Sequence, residues 1–281
     1  MWYDNRMKLL SAFKEHKEFK KNRPWSYWER ALASEAFITP PHYAETIEIL
    51  VFNNVEGDVY IDGKHFPSKG NQVYFVAPNT IHAINYKVSD GRIMILKLHP
   101  AQLKPLLNLD KLLEYHQKTY ADLPARLSDY DQMLQVANVF KSSDDIHEVL
   151  ISILNFFRLL ITHANPLGSS GKTISSKDNK LKSIIEWTEQ NCTRKLSLDE
   201  VSVRFGYTKH YFCQKFKNAT GITYLTYLNT LRISRACKLL RAGKTITEVC
   251  DECGFDDISY FSQLFKKITG LSPKNYVRSL P

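Results

Sequence analysis

No apolar run in this chain approaches the ~20 residues that a membrane-spanning helix needs. The opening Met1-Trp2-Tyr3-Asp4-Asn5-Arg6 has no basic region leading into an apolar stretch, so no secretion signal is read and the cytoplasm is the expected compartment. Cysteine is sparse: the five residues Cys192, Cys213, Cys237, Cys250 and Cys253 are odd in number and all lie in the last third. A disulfide framework is therefore not expected. Cys250 and Cys253 form a C-x-x-C, but no second such pair exists to complete a tetrahedral zinc site. They also sit inside a helical apolar pattern, where packing is the favoured role. Residues 1–171 lack any charge excess, with 19 Lys+Arg against 19 Asp+Glu. Residues 172–281 hold 19 against 10, so the whole formal charge of +9 sits there. A neutral part joined to a basic one points to a polyanionic partner for the second.

What the first part does contain is short alternation broken by turns. Thr46 to Phe52 reads as a buried strand. Val59-Tyr60-Ile61 and His65-Phe66 flank Asp62-Gly63, a pair suited to the positive φ angles of a tight hairpin. Gln72–Val76, His82–Tyr86 and Ile93–Leu98 follow between further turns. Many short strands over about 24–99 predict an antiparallel sandwich or barrel. From Pro100 to His163 the period becomes helical, with Met133, Val136, Ala137 and Phe140 on one face. Val149, Ile153, Phe156, Phe157 and Leu160 form the next face. The run Ile146 to Ile161 is apolar over more than one stripe, so it either lies under the barrel or pairs with a second subunit, the latter being favoured. Asn165 to Gly171, continuing to Ser176, is rich in Pro, Gly and Ser and reads as a flexible linker.

The basic part contains an internal repeat. Phe205-Gly206-Tyr207, Tyr211-Phe212-Cys213-Gln214-Lys215-Phe216-Lys217 and Thr220-Gly221 are matched by Cys253-Gly254-Phe255, Tyr260-Phe261-Ser262-Gln263-Leu264-Phe265-Lys266 and Thr269-Gly270. Ser197 caps a first helix with Asp199 and Glu200 in its opening turn, Gly206 stops it, and Thr208 caps the next. In the second copy Thr245 is the cap, Gly254 the stop, and Asp256 or Asp257 the next cap. Helix, glycine turn, helix is the helix-turn-helix layout, whose second helix enters the major groove. Between the copies, Tyr224 to Arg241 reads as one helix with Leu225, Leu228, Leu231 and Leu239 inward. Its length of roughly 27 Å would place two recognition helices about one DNA turn apart on one face of a duplex.

Residues 181–279 resemble the AraC/XylS family of bacterial transcription regulators, most clearly in Leu196-Ser197-Leu198, Phe205-Gly206-Tyr207, Tyr227 to Ile233, Ala236 to Leu240, Cys253-Gly254-Phe255, and Tyr260 to Lys267 followed by Gly270-Leu271-Ser272-Pro273. The resemblance implies double-stranded DNA as partner, read by His210, Cys213 and Gln214 in the first recognition helix and Ser259, Ser262 and Gln263 in the second. Gln suits bidentate contact with adenine, and Ser and His are versatile partners, whereas Cys213 is a poor base reader. Lys209, Lys215, Lys217, Lys266 and Lys267 are expected on phosphates. Activation of transcription, working with RNA polymerase, is the favoured outcome and repression the alternative.

Pro41-His42, Tyr60 to Lys64 and Val76 to His82 resemble the cupin-type effector domain common in that family. The expected architecture is multidomain α+β. A cupin-like, jelly-roll barrel (about 24–99) with a helical dimerisation segment (100–163) makes an effector domain over 1–163. A linker follows at 164–179, then an all-α DNA-binding domain at 180–281 with helix-turn-helix units near 198–219 and 246–269. A barrel lined by Tyr, His and Glu suits a small polar effector such as a sugar. Trp25, Trp28, His42, Glu45, Glu48, Tyr74 and His82 are the candidates for its pocket, with Trp25, Tyr27 and Trp28 able to stack on it or cover its mouth. Metal-binding cupins normally show two histidines one residue apart, whereas Tyr43 and Ala44 follow His42, so no metal or cofactor is expected. Two alternatives remain open: a metal-dependent enzyme using His42, Glu48 and His82, and a regulator governed by a protein partner around an empty barrel. A homodimer without membrane association is the expected assembly.

Overall fold

The computed structural model describes residues 23–31, 37–87, 90–120, 123, 126–163 and 176–280. Its contacts divide the chain into two compact units, whose main bodies are Glu18–Ile38 with His42–Thr173, and Ile174–Pro281. The expected linker at 164–179 lies mostly outside the described residues, and from Ser176 the chain is already helical.

Among the described residues the first unit holds nine strands: β1 (Trp25–Ala31), β2 (Phe37–His42), β3 (Ile47–Asn53), β4 (Gly57–Ile61), β5 (Lys64–Ser68), β6 (Gln72–Val76), β7 (His82–Tyr86), β8 (Arg92–Leu98) and β9 (Arg126–Leu127). They form two sheets, ordered β1-β8-β3-β6-β9 and β2-β7-β4-β5. No closed barrel is present among the described residues. The strands instead make a two-sheet sandwich, whose inner faces meet at Phe52–Tyr86 and Phe66–Tyr74, with ring centroids 5.8 and 6.2 Å apart. Asp62 and Gly63, at φ 51° and 69°, close the β4–β5 hairpin as the Asp-Gly pair predicts.

Strand alternation decides what each face meets. Ile47, Ile49 and Val51 of β3 join Val73, Phe75, Met94, Leu96, Leu98 and Trp25 in one core with the helices α1 (Pro100–Leu103), α2 (Leu109–Tyr115), α3 (Tyr130–Ser142) and α4 (Ile146–His163). Glu48, Leu50 and Phe52 face the opposite way, into the sandwich. All five apolar residues named for α4 are buried in the helix-covered core, and Phe156 lies 6.0 Å from Phe75 between ring centroids. The broad apolar face of α4 is thus accounted for by the sheet rather than by a second subunit. Only Ile151 and Leu154 are large apolar side chains left exposed on it.

The second unit is helical: α5 (Ser176–Asn191), α6 (Leu198–Arg204), α7 (Lys209–Thr220), α8 (Tyr224–Arg241), α9 (Ile246–Glu252), α10 (Ile258–Thr269) and α11 (Pro273–Arg278). Ser197 accepts from the Glu200 amide at 3.0 Å, and Thr208 caps α7. Thr245 and Glu248 form a reciprocal capping box. Asp257, not Asp256, caps α10; Asp256 pairs instead with Lys195 at 2.6 Å. The long α8 carries both halves. Its Tyr224 and Tyr227 pack on Phe212 and Phe216 of α7, and Ile233, Ala236, Cys237 and Leu240 share a core with Val249, Phe261 and Phe265. Leu225, expected inward, is 51% exposed, because the buried stripe runs through Tyr224, Tyr227, Leu228 and Arg232. Cys250 and Cys253 are buried in this core, and burial pushes the Cys253 thiol up to about 12, which fits packing and not thiolate chemistry.

Gly254 closes the second turn at φ 78°, and a Cβ there would lie 2.5 Å from the Thr193 carbonyl oxygen. Gly243 has φ 85° but nothing within 4 Å of its Cβ position. Gly243→Ala is expected to lose about 1 kcal/mol, from backbone conformation alone. Gly254→Ala is expected to lose about 3 kcal/mol, since overpacking adds to that strain. Urea unfolding followed by helical circular dichroism measures both, and equal losses would show that the Thr193 contact is slack.

Candidate nucleic-acid interface and buried polar cluster

Two helices repeat the same division of faces. In α7, Phe212, Phe216 and Thr220 are buried while His210 and Gln214 are exposed and Cys213 is half-buried. In α10, Phe261, Phe265 and Thr269 are buried while Ser259 and Gln263 are exposed and Ser262 is half-buried. The six residues expected to read bases therefore lie off the packed faces, with Gln214 and Gln263 at equivalent positions. Tyr211 and Tyr260, also equivalent and about half exposed, were not singled out from sequence. Their recurrence 49 residues apart was the available signal. Tyr260 is positioned by Asn229 of α8, whose Nδ2 donates to its hydroxyl at 3.1 Å.

The lysines separate into two groups. Lys209 pairs with Asp199 at 2.9 Å, and Lys215 donates to the Tyr207 hydroxyl at 3.0 Å while lying over the Tyr207 and Tyr211 rings. The Tyr207 hydrogen bond holds the Lys215 ammonium above its ordinary value. Lys217, Lys266 and Lys267 are exposed on the last turns of α7 and α10. At the position of Lys209 the second helix carries Ile258, so the two helices differ in charge at their first residue.

One buried arginine ties these elements together. Arg232 of α8 is 9% exposed; its Nε donates to the Cys192 carbonyl at 2.8 Å and its Nη2 to the Arg194 carbonyl at 2.7 Å. Its guanidinium also lies 5.4 Å from the Phe255 ring, just after the Gly254 turn. Carbonyls in the turn that follows α5 are thereby satisfied by the helix that supports both recognition helices.

In the sandwich, the sequence candidates scatter. His42 at the end of β2, Glu48 in β3 and His82 at the start of β7 converge, with ligand atoms all within 4.8 Å of one another. Glu48 and His82 are each 2% exposed. Lys97, the register partner of Glu48 across β3–β8, places its Nζ 3.2 Å from Glu48 Oε1. Sequence reading passed over Lys97, although a lysine within the apolar run Ile93–Leu98 was a visible anomaly. Burial alone would raise the Glu48 carboxyl; His82, Lys97 and His42 outweigh it and hold the group well below the usual carboxylate range.

Trp28 and Tyr74 lie on this same inner face, one row along, because both align with Leu50 through the registers Trp28↔Ile95↔Leu50↔Tyr74. Tyr74 there packs against Phe52 and Phe66 and donates to Gln72. Two candidates do not belong. Trp25 aligns with Leu98 and Ile47, so it points to the helix-covered side. Glu45 is exposed in the bend before β3.

Residues 201–279 match the family described as a helix-turn-helix domain. The HTH-type transcriptional activator RhaS of Salmonella schwarzengrund is 26% identical over 253 residues, covering 88% of this chain and 90% of that protein. The same activator from Salmonella newport matches to the same extent. Among solved structures, ToxT from Vibrio cholerae aligns over 91% of this chain and 98% of its own, at 14% identity and a TM-score of 0.44. The DNA-binding domain of AdpA in complex with a target DNA aligns over 36% of this chain and 91% of its own, at 24% identity and a TM-score of 0.34. Both candidate recognition helices, α7 and α10, lie within the residues that match the helix-turn-helix domain, and the chain is similar to the transcriptional activator RhaS along most of its length.

Proposed function

We propose that this chain activates transcription by binding promoter DNA through α7 and α10 and by sensing a small polar molecule in the two-sheet unit. The observation that carries the reading is the doubled unit on one scaffold helix, with a glutamine at the same outward position in each copy. A helix of 18 residues spans roughly 27 Å, close to the ~34 Å between successive major grooves on one face of DNA. In this reading His210, Gln214, Ser259, Ser262 and Gln263 meet base edges, and Cys213 contributes contact without a strong hydrogen bond. Phosphates are held by Lys217, Lys266 and Lys267. Lys209 and Lys215 first have to exchange Asp199 and Tyr207 for DNA, so they add less.

The sensing half rests on His42, Glu48, Lys97 and His82, with Trp28 and Tyr74 beside them on the same face. Fixed donors and acceptors among apolar walls suit an oxygen-rich effector, a sugar being the favoured class. Effector binding would change how the DNA-binding unit is presented, and hence its contact with RNA polymerase. Ile151 and Leu154 on α4 supply the dimer contact of this reading. Domain limits of 1–163, 164–179 and 180–281 and a cytoplasmic location go with it. No helix among the described residues is long and apolar enough to cross a membrane.

Three outcomes follow. On a site selected from random DNA, Gln214→Ala and Gln263→Ala each weaken the preferred site by about 1–3 kcal/mol and relax one position, read by gel-shift competition. Unchanged preference in both variants removes these residues as readers. Replacing Lys217, Lys266 or Lys267 by Gln lowers the slope of log affinity against log salt by about 1 each, while Lys209→Gln lowers it by less. In a thermal-shift screen of the full chain against sugars, a ligand present at 100 times its dissociation constant adds about 2.7 kcal/mol to the stability of the sensing unit. Glu48→Gln should abolish that shift.

A further inference from the structure

We propose that the Tyr207 hydroxyl, flanked by Lys180 and Lys215, grips one backbone phosphate at the edge of the first half-site, a contact the second unit lacks. This contact rests on the reading of α7 as a helix that enters the major groove.

Tyr207 stands in the turn between α6 and α7, and two cations from different helices converge on it. Lys215 of α7 donates to its hydroxyl at 3.0 Å. An ammonium group can only donate, so this bond takes a lone pair of the hydroxyl oxygen and leaves its hydrogen for another acceptor. The positive charge behind the oxygen strengthens that outgoing bond. Lys180 of α5 places its Nζ 4.2 Å from the centre of the same ring. The turn leaves room for it, since the Cβ that Gly206 lacks would lie 3.9 Å from Lys180 Nζ. Neither lysine forms an ion pair among the described residues, whereas Lys195 and Lys209 each hold an aspartate. Two like charges on one tyrosine repel, and the negative face of the ring offsets only part of that. A phosphate supplies what all three groups lack, an acceptor for the hydroxyl and a counter-charge for both ammonium groups.

The position on α7 fits that partner. Tyr211 lies beside Tyr207, with ring centroids 5.3 Å apart, and Lys215 follows Tyr211 by one turn. Tyr211 and Lys215 therefore form a stripe one residue round the helix from His210 and Gln214. With His210 and Gln214 on base edges, the neighbouring stripe meets the wall of the groove, where the phosphates are. Lys215 serves by staying on Tyr207 as a positioning residue; as a direct phosphate ligand it would have to leave. The second copy supplies the contrast, for Phe255 stands where Tyr207 does and Leu264 where Lys215 does. There the cation on the ring is Arg232, buried and committed to two main-chain carbonyls. One joint of aromatic ring and cation is thus closed inward in the second unit, while the first keeps a hydroxyl hydrogen and two ammonium groups for a ligand. The first unit fixes the register of the duplex, and the second adds base contacts to a duplex already held.

The test uses the full chain and the selected DNA site, with single phosphates along each half-site replaced in turn by uncharged methylphosphonates. Tyr207→Phe is expected to weaken binding about 10-fold with base preference unchanged, since a bond to a charged group is lost but no sequence information. Its slope of log affinity against log salt stays that of the parent, because the lost donor is neutral, whereas Lys180→Gln lowers the slope by about 1. At one phosphate of the first half-site, the methylphosphonate costs the parent more than it costs Tyr207→Phe, by about 3-fold or more. Lys215→Leu likewise costs the parent more than it costs Tyr207→Phe. Each variant is compared with its own binding to unmodified DNA, so a general loss of fold does not mimic this coupling. Equal methylphosphonate penalties at every position, or Tyr207→Phe binding as the parent does, overturn the hydroxyl contact. An unchanged slope in Lys180→Gln overturns the part given to Lys180, and equal losses from Lys215→Leu in both backgrounds overturn its positioning role. A parent chain without base preference on the selected site defeats the groove reading itself, an outcome distinct from failure of the phosphate contact alone.

Discussion

A charge buried where charges are rare holds the DNA-binding unit in one shape. The Arg232 guanidinium has left water, and the cost of that is met only because two main-chain carbonyls and an aromatic face receive it. Its partners lie in two places remote from its own helix α8: the segment just after α5 and the turn of the second unit. Removing any of them would strand the others, so the arginine fixes where that turn sits against the scaffold. Gly254 is forced by the same joint. A Cβ there would lie 2.5 Å from the Thr193 carbonyl oxygen and 3.2 Å from Arg232 Nη2, so any side chain forces the joint to shift. The two recognition helices can be held at one separation because their support cannot slide.

The two-sheet unit obeys a different constraint, that of period two. One strand, β3, serves two masters by giving its odd residues to the helix-covered core and its even ones to the space between sheets. Glu48 is a consequence of that geometry: it points where only polar partners could make it tolerable, and Lys97 stands opposite it in register. An ion pair in such a place is weak evidence for stability, since desolvation consumes most of the attraction. Its value lies in presenting an oriented carboxylate to the two histidines.

Much of this was legible in the residues. The caps Ser197, Thr208 and Thr245, the stops Gly206 and Gly254 and the aromatic pairs of the two copies give the helical half nearly residue by residue, because each signal acts over four positions. Strands β6 and β7 were equally plain from their turns. What escaped was set by distance. The face of Trp25 depends on pairing with Leu98, and nothing near Trp25 says so. Leu225 looks inward by periodicity but yields to Tyr224 and Tyr227, whose rings fill the space against α7. Closure into a barrel was inferred from strand number, which does not reveal whether the outer strands meet. Lys209 and Lys215 read as free cations because Asp199 and Tyr207 lie outside their own helix. The convergence of His42, Glu48 and His82 was suspected from residue type, while Lys97 passed unnoticed inside an apolar run.

The capping of α6 to α11 by Ser197, Thr208, Thr223, Thr245, Asp257 and Ser272 has a kinetic side. Each start is decided within one turn, so this half is rich in local contacts, the property associated with rapid folding. The sandwich is the reverse, for among the described residues β1 pairs only with β8, Trp25 meeting Leu98 across 73 positions of chain. Synthesis runs from the N-terminus, so the ribosome releases the slow half first and β1 must wait, edge unpaired, until β8 emerges. The half that meets DNA needs no such delay.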